Sequence, residues 1–200
     1  DEARKAEILP YLERLRDELA LPILYVSHSV AEVARLATTL VLLDAGRVVA
    51  AGPAAAVMAD PAMVPVMGLR EAGAVITARL VDQEADGLSR LETQGGPIWL
   101  PHLRGQTGRS LRLRILAQDV MLATSRPHDI SALNVLQATI DDLHMGDGPG
   151  ALIRLRMGDE ILLARVTRRS VHGLNLRPGL PVFAVLKAVS VAQESIGGAA

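Results

Sequence analysis

The sequence predicts an α/β segment followed by two small all-β barrels in tandem, and three observations carry that prediction. Residues 22–27, Pro-Ile-Leu-Tyr-Val-Ser, hold a short continuous apolar run of the kind found in a strand covered on both faces. From about residue 73 the texture changes to short alternating strands with Gly, Pro and Asp at the turns. Within that second region the sequence repeats itself.

Taken in order, residues 2–19 read as an amphipathic helix. Ile8, Leu12, Leu15 and Leu19 fall on one helical face, while Glu13, Arg14, Arg16, Asp17 and Glu18 are expected in water. Pro10 should sit early in this helix or bend it. The strand at 22–27 ends on His28, and Ser29 with Glu32 forms a capping box that starts a helix at 29–37. His28 is thereby expected at the carboxyl edge of a sheet strand, where open α/β sheets bind ligands. The alternative is a core histidine at a strand end. Strands near 39–43 and 47–51 follow, joined by the Asp44-Ala45-Gly46 turn. A short helix near 54–59 comes after Gly52-Pro53, and Asp60-Pro61 opens a linker over 61–72.

The repeat pairs Val75–Asp82 with Val135–Asp142, Arg90–Thr93 with Arg154–Met157, Ile98–Leu100 with Ile161–Leu163, and Ile115–Val120 with Leu186–Val191. Each copy, at 73–126 and 127–196, has the size of a small oligonucleotide/oligosaccharide-binding (OB)-type barrel of four or five strands. The second copy has an extra segment, Val166 to Leu174, in which Thr167 is expected to cap one helical turn.

Half of the residues are hydrophobic but only 2% are aromatic, so Leu, Val, Ile and Ala must do the packing, in several small cores. The net charge of −1 argues against a general nucleic-acid surface. Zero cysteines exclude disulfides and thiolate chemistry and suit a cytoplasmic protein. The five histidines show no ligand spacing, so no metal site is expected; His102, His128, His144 and His172 read as surface residues.

Residues 1–60 resemble the last third of an ATP-binding-cassette (ABC) ATPase domain. The carrying residues are Ser27-His28-Ser29 with Val30-Ala31-Glu32-Val33, the strand-turn-strand Leu40–Val49, and Ala51-Gly52-Pro53. The resemblance implies that His28 is the switch histidine contacting the γ-phosphate of ATP, held with Mg in a whole ATPase. It implies that Asp1 is the D-loop aspartate; the residue also suits an N-cap for the first helix. No phosphate loop, Walker B carboxylate or signature motif is present, so the chain is expected to be a carboxyl-terminal portion that does not hydrolyse ATP by itself.

The second copy is similar to the molybdate-binding Mop domain, and the pair to its tandem form, through Ser131-Ala132-Leu133-Asn134, Lys187-Ala188-Val189-Ser190 and the intervening Val166–Val171. This implies a bound oxyanion, molybdate or tungstate, contacted by Ser131, Asn134, Lys187 and Ser190. Leu133 and Val189 depart from the arginine and serine usual in that family, removing a donor at each place. The competing reading has Ser131 and Asn134 simply starting a strand, with Lys187 solvated. In the first copy Glu71, Ala74, Leu116 and Asp119 fall at the four places, and that copy is expected to be mainly structural.

Together the two resemblances imply the ATPase subunit of a molybdate importer, with a regulatory barrel. Its expected partners are a second ATPase subunit and an integral-membrane permease, which would hold it at the inner face of the membrane. A stand-alone oxyanion-binding module, or a ligand-free regulatory domain of another importer, are the alternatives.

Overall fold

The computed structural model describes residues 2–19, 21–103, 105–192 and 195–198. Helix α1 runs over Glu2–Leu19 straight through Pro10. Its buried face is not the expected leucine row: Ile8 and Leu15 are exposed, whereas Leu9 and Glu13 are buried. The reason is what α1 packs on. The guanidinium of Arg35 on helix α2 (Val30–Leu36) donates to Glu13 Oε1 at 2.8 Å, so a charged pair takes the place of apolar contacts.

The expected strand at 22–27 does not form. Residues 21–27 have no regular structure, and Leu24 and Val26 are 93% and 88% exposed. A strand lives on ladder hydrogen bonds, and no described strand lies alongside to supply them. The helix cap downstream does form: Ser29 Oγ accepts from Glu32 N. The reciprocal half of the box is re-routed, with the Glu32 carboxylate accepting from Ser27 and Tyr25 hydroxyls. Strands β1 (Thr39–Asp44) and β2 (Arg47–Pro53) then form an antiparallel hairpin. Its turn residues, Ala45 and Gly46, both have positive φ, the two-residue geometry that matches strand twist. Helix α3 (Ala54–Met58), a 3₁₀ turn and α4 (Val64–Met67) lead into the barrels, so the expected linker is largely helical.

The remaining chain builds two five-stranded antiparallel sheets from β3 (Gly73–Gln83), β4 (Leu88–Thr93), β5 (Gly96–Pro101), β6 (Ser110–Leu116), β7 (Met121–Ala123), β8 (Asn134–Met145), β9 (Gly150–Met157), β10 (Glu160–Thr167), β11 (Pro181–Leu186) and β12 (Ile196–Gly198). Their orders are β12-β6-β3-β4-β5 and β10-β9-β8-β11-β7. Each copy therefore lends its last short strand to the other: β7 pairs with β11, and β12 pairs with β6.

Register superposes the copies. Ala74 opposes Ile115 as Asn134 opposes Leu186, and each long strand carries a bulge at the same place, Leu80/Asp82 and Ile140/Asp142. Ile98 opposes Leu91 as Leu162 opposes Leu155, which shifts the sequence alignment of that strand by one residue. A one-residue slip exchanges faces, so Ile98 and Leu162, both fully buried, are the true counterparts. Because strands are exchanged, the expected small cores merge into one apolar cluster running from Leu80, Leu91 and Ile98 to Leu136, Ile140 and Leu155.

Thr167 caps α5 (Arg168–Gly173) as expected, accepting from Ser170 N at 3.0 Å. The first helices dock on the β12 edge. Arg16 donates to Arg35 O, Leu36 O and Gly198 O, and Arg112 of β6 donates to Ala37 O at 2.7 Å. These cations cap the orphan carbonyls at the end of α2. Burial, then the neighbouring Arg16, lowers the Arg112 pKa from its ordinary value.

Candidate functional site

The pairing of β8 with β11 brings the two candidate motifs of the second copy together. Leu186 opposes Asn134, so Lys187 leaves β11 alongside Leu133, beside the segment that carries Ser131. Ala132 and Ala188 are buried and anchor the two segments, while Ser131, Leu133 and Lys187 are exposed and Ser190 is half-buried. Ser190 sits on a 3₁₀ turn, its N–H bonded to Lys187 O at 3.1 Å. Lys187 forms no ion pair among the described residues. Lys187 is thus an ammonium without an ion pair among the described residues, three positions before Ser190 and alongside the segment that carries Ser131, a donor-rich surface suited to an anion.

Asn134 is placed differently. It is fully buried, its Oδ1 accepting from Trp99 N at 2.7 Å and its Nδ2 donating to Trp99 O at 3.0 Å. The amide thus clips β8 to β5 of the other copy, and only one of its N–H groups is left.

The corresponding corner of the first copy has the opposite chemistry. Arg114 on β6 is 6% exposed, and its Nη2 donates to Glu71 O at 3.0 Å and Glu71 Oε2 at 2.6 Å. Asp119, half-buried on the 3₁₀ turn, has its carboxyl pKa raised by burial. A cleft of about 610 Å³ lies beside that turn, between Gln118–Leu122 and the Arg165–Leu174 segment.

His28 is exposed, just before the Ser29 cap of α2. Asp1 lies outside the described residues. His102, His128, His144 and His172 are all exposed. Among the described residues there is no group of three or more His, Cys, Asp or Glu able to hold a metal, and no helix long and apolar enough to cross a membrane. Sequence reasoning missed the Arg114–Glu71, Arg35–Glu13 and Arg112–Ala37 contacts. The one available signal was arginine recurring at 112 and 114, on the face of β6 turned away from Leu113 and Ile115.

Residues 130–193 match the TOBE domain. The chain is 48% identical over 198 residues to the molybdenum import ATP-binding protein ModC of Mesorhizobium japonicum, covering 98% of this chain and 54% of that protein. Its identity to the proteins of the same name is 51% over 193 residues in Rhizobium meliloti and 45% over 193 residues in Methylococcus capsulatus, each match covering 96% of this chain and 54% of the relative. The chain thus spans about half the length of the curated relatives it matches. Among solved structures, the cytoplasmic molybdate-binding protein ModG, with molybdate bound, aligns with a TM-score of 0.53 at 22% identity, covering 62% of this chain and 95% of that one. That likeness establishes the tandem β fold.

Proposed function

We infer, from 48–51% identity to molybdenum import ATP-binding proteins over about half of their length and the TOBE match at residues 130–193, that this chain is the carboxyl-terminal portion of the ATP-hydrolysing subunit of a molybdate ABC importer. Its tandem barrel is the regulatory oxyanion-binding module. The observation that carries this reading is Lys187: an ammonium without an ion pair among the described residues, alongside the segment of Ser131 and three positions before Ser190, where the ends of β8 and β11 meet.

Molybdate and tungstate are tetrahedral dianions that ask for several donors and a positive charge. Lys187 supplies the charge, Ser131 and Ser190 supply hydroxyl donors, and Asn134 has one N–H to offer. In the whole protein, ATP with Mg supplies the phosphoryl group to be transferred. His28 would donate a hydrogen bond to the γ-phosphate, and Asp1 would face the partner ATPase subunit. This chain alone is expected to be inactive as an ATPase. Two such subunits would pair and sit on a membrane permease at its cytoplasmic side. Docking of α1 and α2 on the β12 edge favours this integrated role over a free-standing storage module.

Calorimetric titration of the chain with molybdate, tungstate and sulfate tests the barrel. Micromolar binding of the first two, weakened at least about tenfold by Lys187→Ala, is expected, since one charge-assisted contact is worth about 1.5–3 kcal/mol. No heat at millimolar ligand, or an unaffected Lys187→Ala variant, overturns the oxyanion role. In the full-length protein His28→Ala should abolish ATP turnover while leaving nucleotide binding intact; normal turnover removes His28 from the reaction.

A further inference from the structure

The two copies can be compared atom group by atom group because their registers coincide. Side chains alternate along a strand, so β6 shows Arg112, Arg114 and Leu116 on the face turned away from Leu113 and Ile115. By the same register β11 shows Phe183 and Val185, with Lys187 next in that alternation just past the strand's end. Arg114 therefore stands where the second copy has Val185, and Leu116 where it has Lys187. The first copy keeps a cation on this strand face, moved one step along it toward the core of the sheet.

The partner of that cation is equally telling. Glu71 precedes β3 as Ser131 precedes β8, and its carboxylate lies on Arg114 at 2.6 Å. The arginine is buried, yet its Nε has no hydrogen-bond partner, so the guanidinium retains unused donor capacity. The Glu71 side chain is 46% exposed, which leaves its carboxylate displaceable from the water side.

We propose that the first copy holds a second oxyanion site, built on Arg114 and filled by the chain's own Glu71 carboxylate. This rests on the oxyanion-binding role assigned above to the second copy. The Glu71 carboxylate oxygen on Arg114 Nη2 stands in for one oxygen of a tetrahedral dianion, the chemistry a guanidinium recognises. The chain accordingly takes one oxyanion from solution, at Lys187, and supplies the other anion itself. Loss of the Glu71 charge opens the Arg114 site.

The test is the number of oxyanions bound per full chain, by equilibrium dialysis against molybdate with sulfate as competitor. Wild type should bind one, and Glu71→Gln should bind two. Lys187→Ala in the Glu71→Gln background should return the count to one, and Arg114→Leu in that background should do the same by removing the other site. A folded Glu71→Gln protein that binds the same number as wild type overturns the proposal. Should Glu71→Gln lower the melting temperature, molybdate must restore it more than it raises that of wild type; equal shifts also overturn it. Failure of the second-copy reading is distinguishable: wild type then binds none, while the gain of one on Glu71→Gln persists.

Discussion

At the start of β3 the first copy sets Glu71 against the buried guanidinium of Arg114, whereas at the start of β8 the second copy sets Ser131 near a Lys187 that has no ion pair among the described residues. The strands, bulges and 3₁₀ turns around the two corners correspond. What differs is the count of charges that the chain satisfies internally. One corner is closed electrostatically and the other is left with a surplus cation, so ligand chemistry is decided by side chains on a backbone that is common to both.

The seam between the copies shows the same asymmetry. Gln137 N of β8 donates to the main-chain carbonyl of Gly95, at 2.8 Å. Its counterpart Thr77 N of β3 donates to a side chain instead, Glu160 Oε1, at 2.5 Å. Asn134 clips Trp99 across the seam, and its counterpart Ala74 has no polar group with which to do so. A repeat that has exchanged strands must still satisfy every buried edge amide, and each half has found a different donor or acceptor for the task.

The largest expected effect comes from breaking the Asn134 clip. Asn134→Ala removes two hydrogen bonds and strands a main-chain donor and acceptor of Trp99, which should lower unfolding free energy by about 2–4 kcal/mol. Lys187→Ala, on an exposed side chain, should stay within about 0.5 kcal/mol in the same urea titration. Equal and small losses for both would mean that Asn134 contributes no clamp and that its amide is free for a ligand.

Next in size is the close approach at Gly95. A Cβ there would stand 2.6 Å from Met157 Sδ, 3.2 Å from Leu136 Cβ and 3.3 Å from Gln137 O. Gly95→Ala should therefore cost about 1–3 kcal/mol through overpacking of the seam. The register counterpart, Asp159, already bears an exposed side chain, so Asp159→Ala should cost less than about 0.5 kcal/mol. Chemical denaturation of the two variants side by side tests whether the seam is tight on one side only.

Much of this architecture is legible in the sequence, and the reasons are local. The Asp44-Ala45-Gly46 turn, the Ser29 and Thr167 caps and the alternating strands from residue 73 onward are written in short windows of sequence. Residues 22–27 were misread because their apolar run records a sheet environment that the described residues do not provide; four large side chains from Ile23 to Val26 are exposed. The strand exchange of β7 and β12 was invisible because a three-residue strand carries no address for its partner. At the candidate site the sequence supplied Ser131, Lys187 and Ser190, but it could not show that Asn134 faces Trp99 or that Glu71 reaches Arg114. Those contacts join residues 35 and 43 positions apart.

The smallest effect is electrostatic and sharpens the contrast between the two edge amides. Burial raises the Glu160 carboxyl pKa, opposed by the hydrogen bond from Thr77 N, and Glu160 Oε2 is buried without a partner. A carboxyl with a raised folded-state pKa binds its proton more tightly in the fold than in the unfolded chain. Its contribution to stability is therefore fullest below the unfolded value, about 4.3, and declines as pH rises through the folded value. Glu160→Gln carries no such titration. The stability of wild type minus that of Glu160→Gln, measured by urea unfolding from pH 4 to pH 7, should fall with rising pH. The raised carboxyl of Asp119 is present in both proteins and cancels in the difference. A difference that is flat, or that grows with pH, would mean that the Thr77 hydrogen bond outweighs burial and that both seam amides are satisfied equally well.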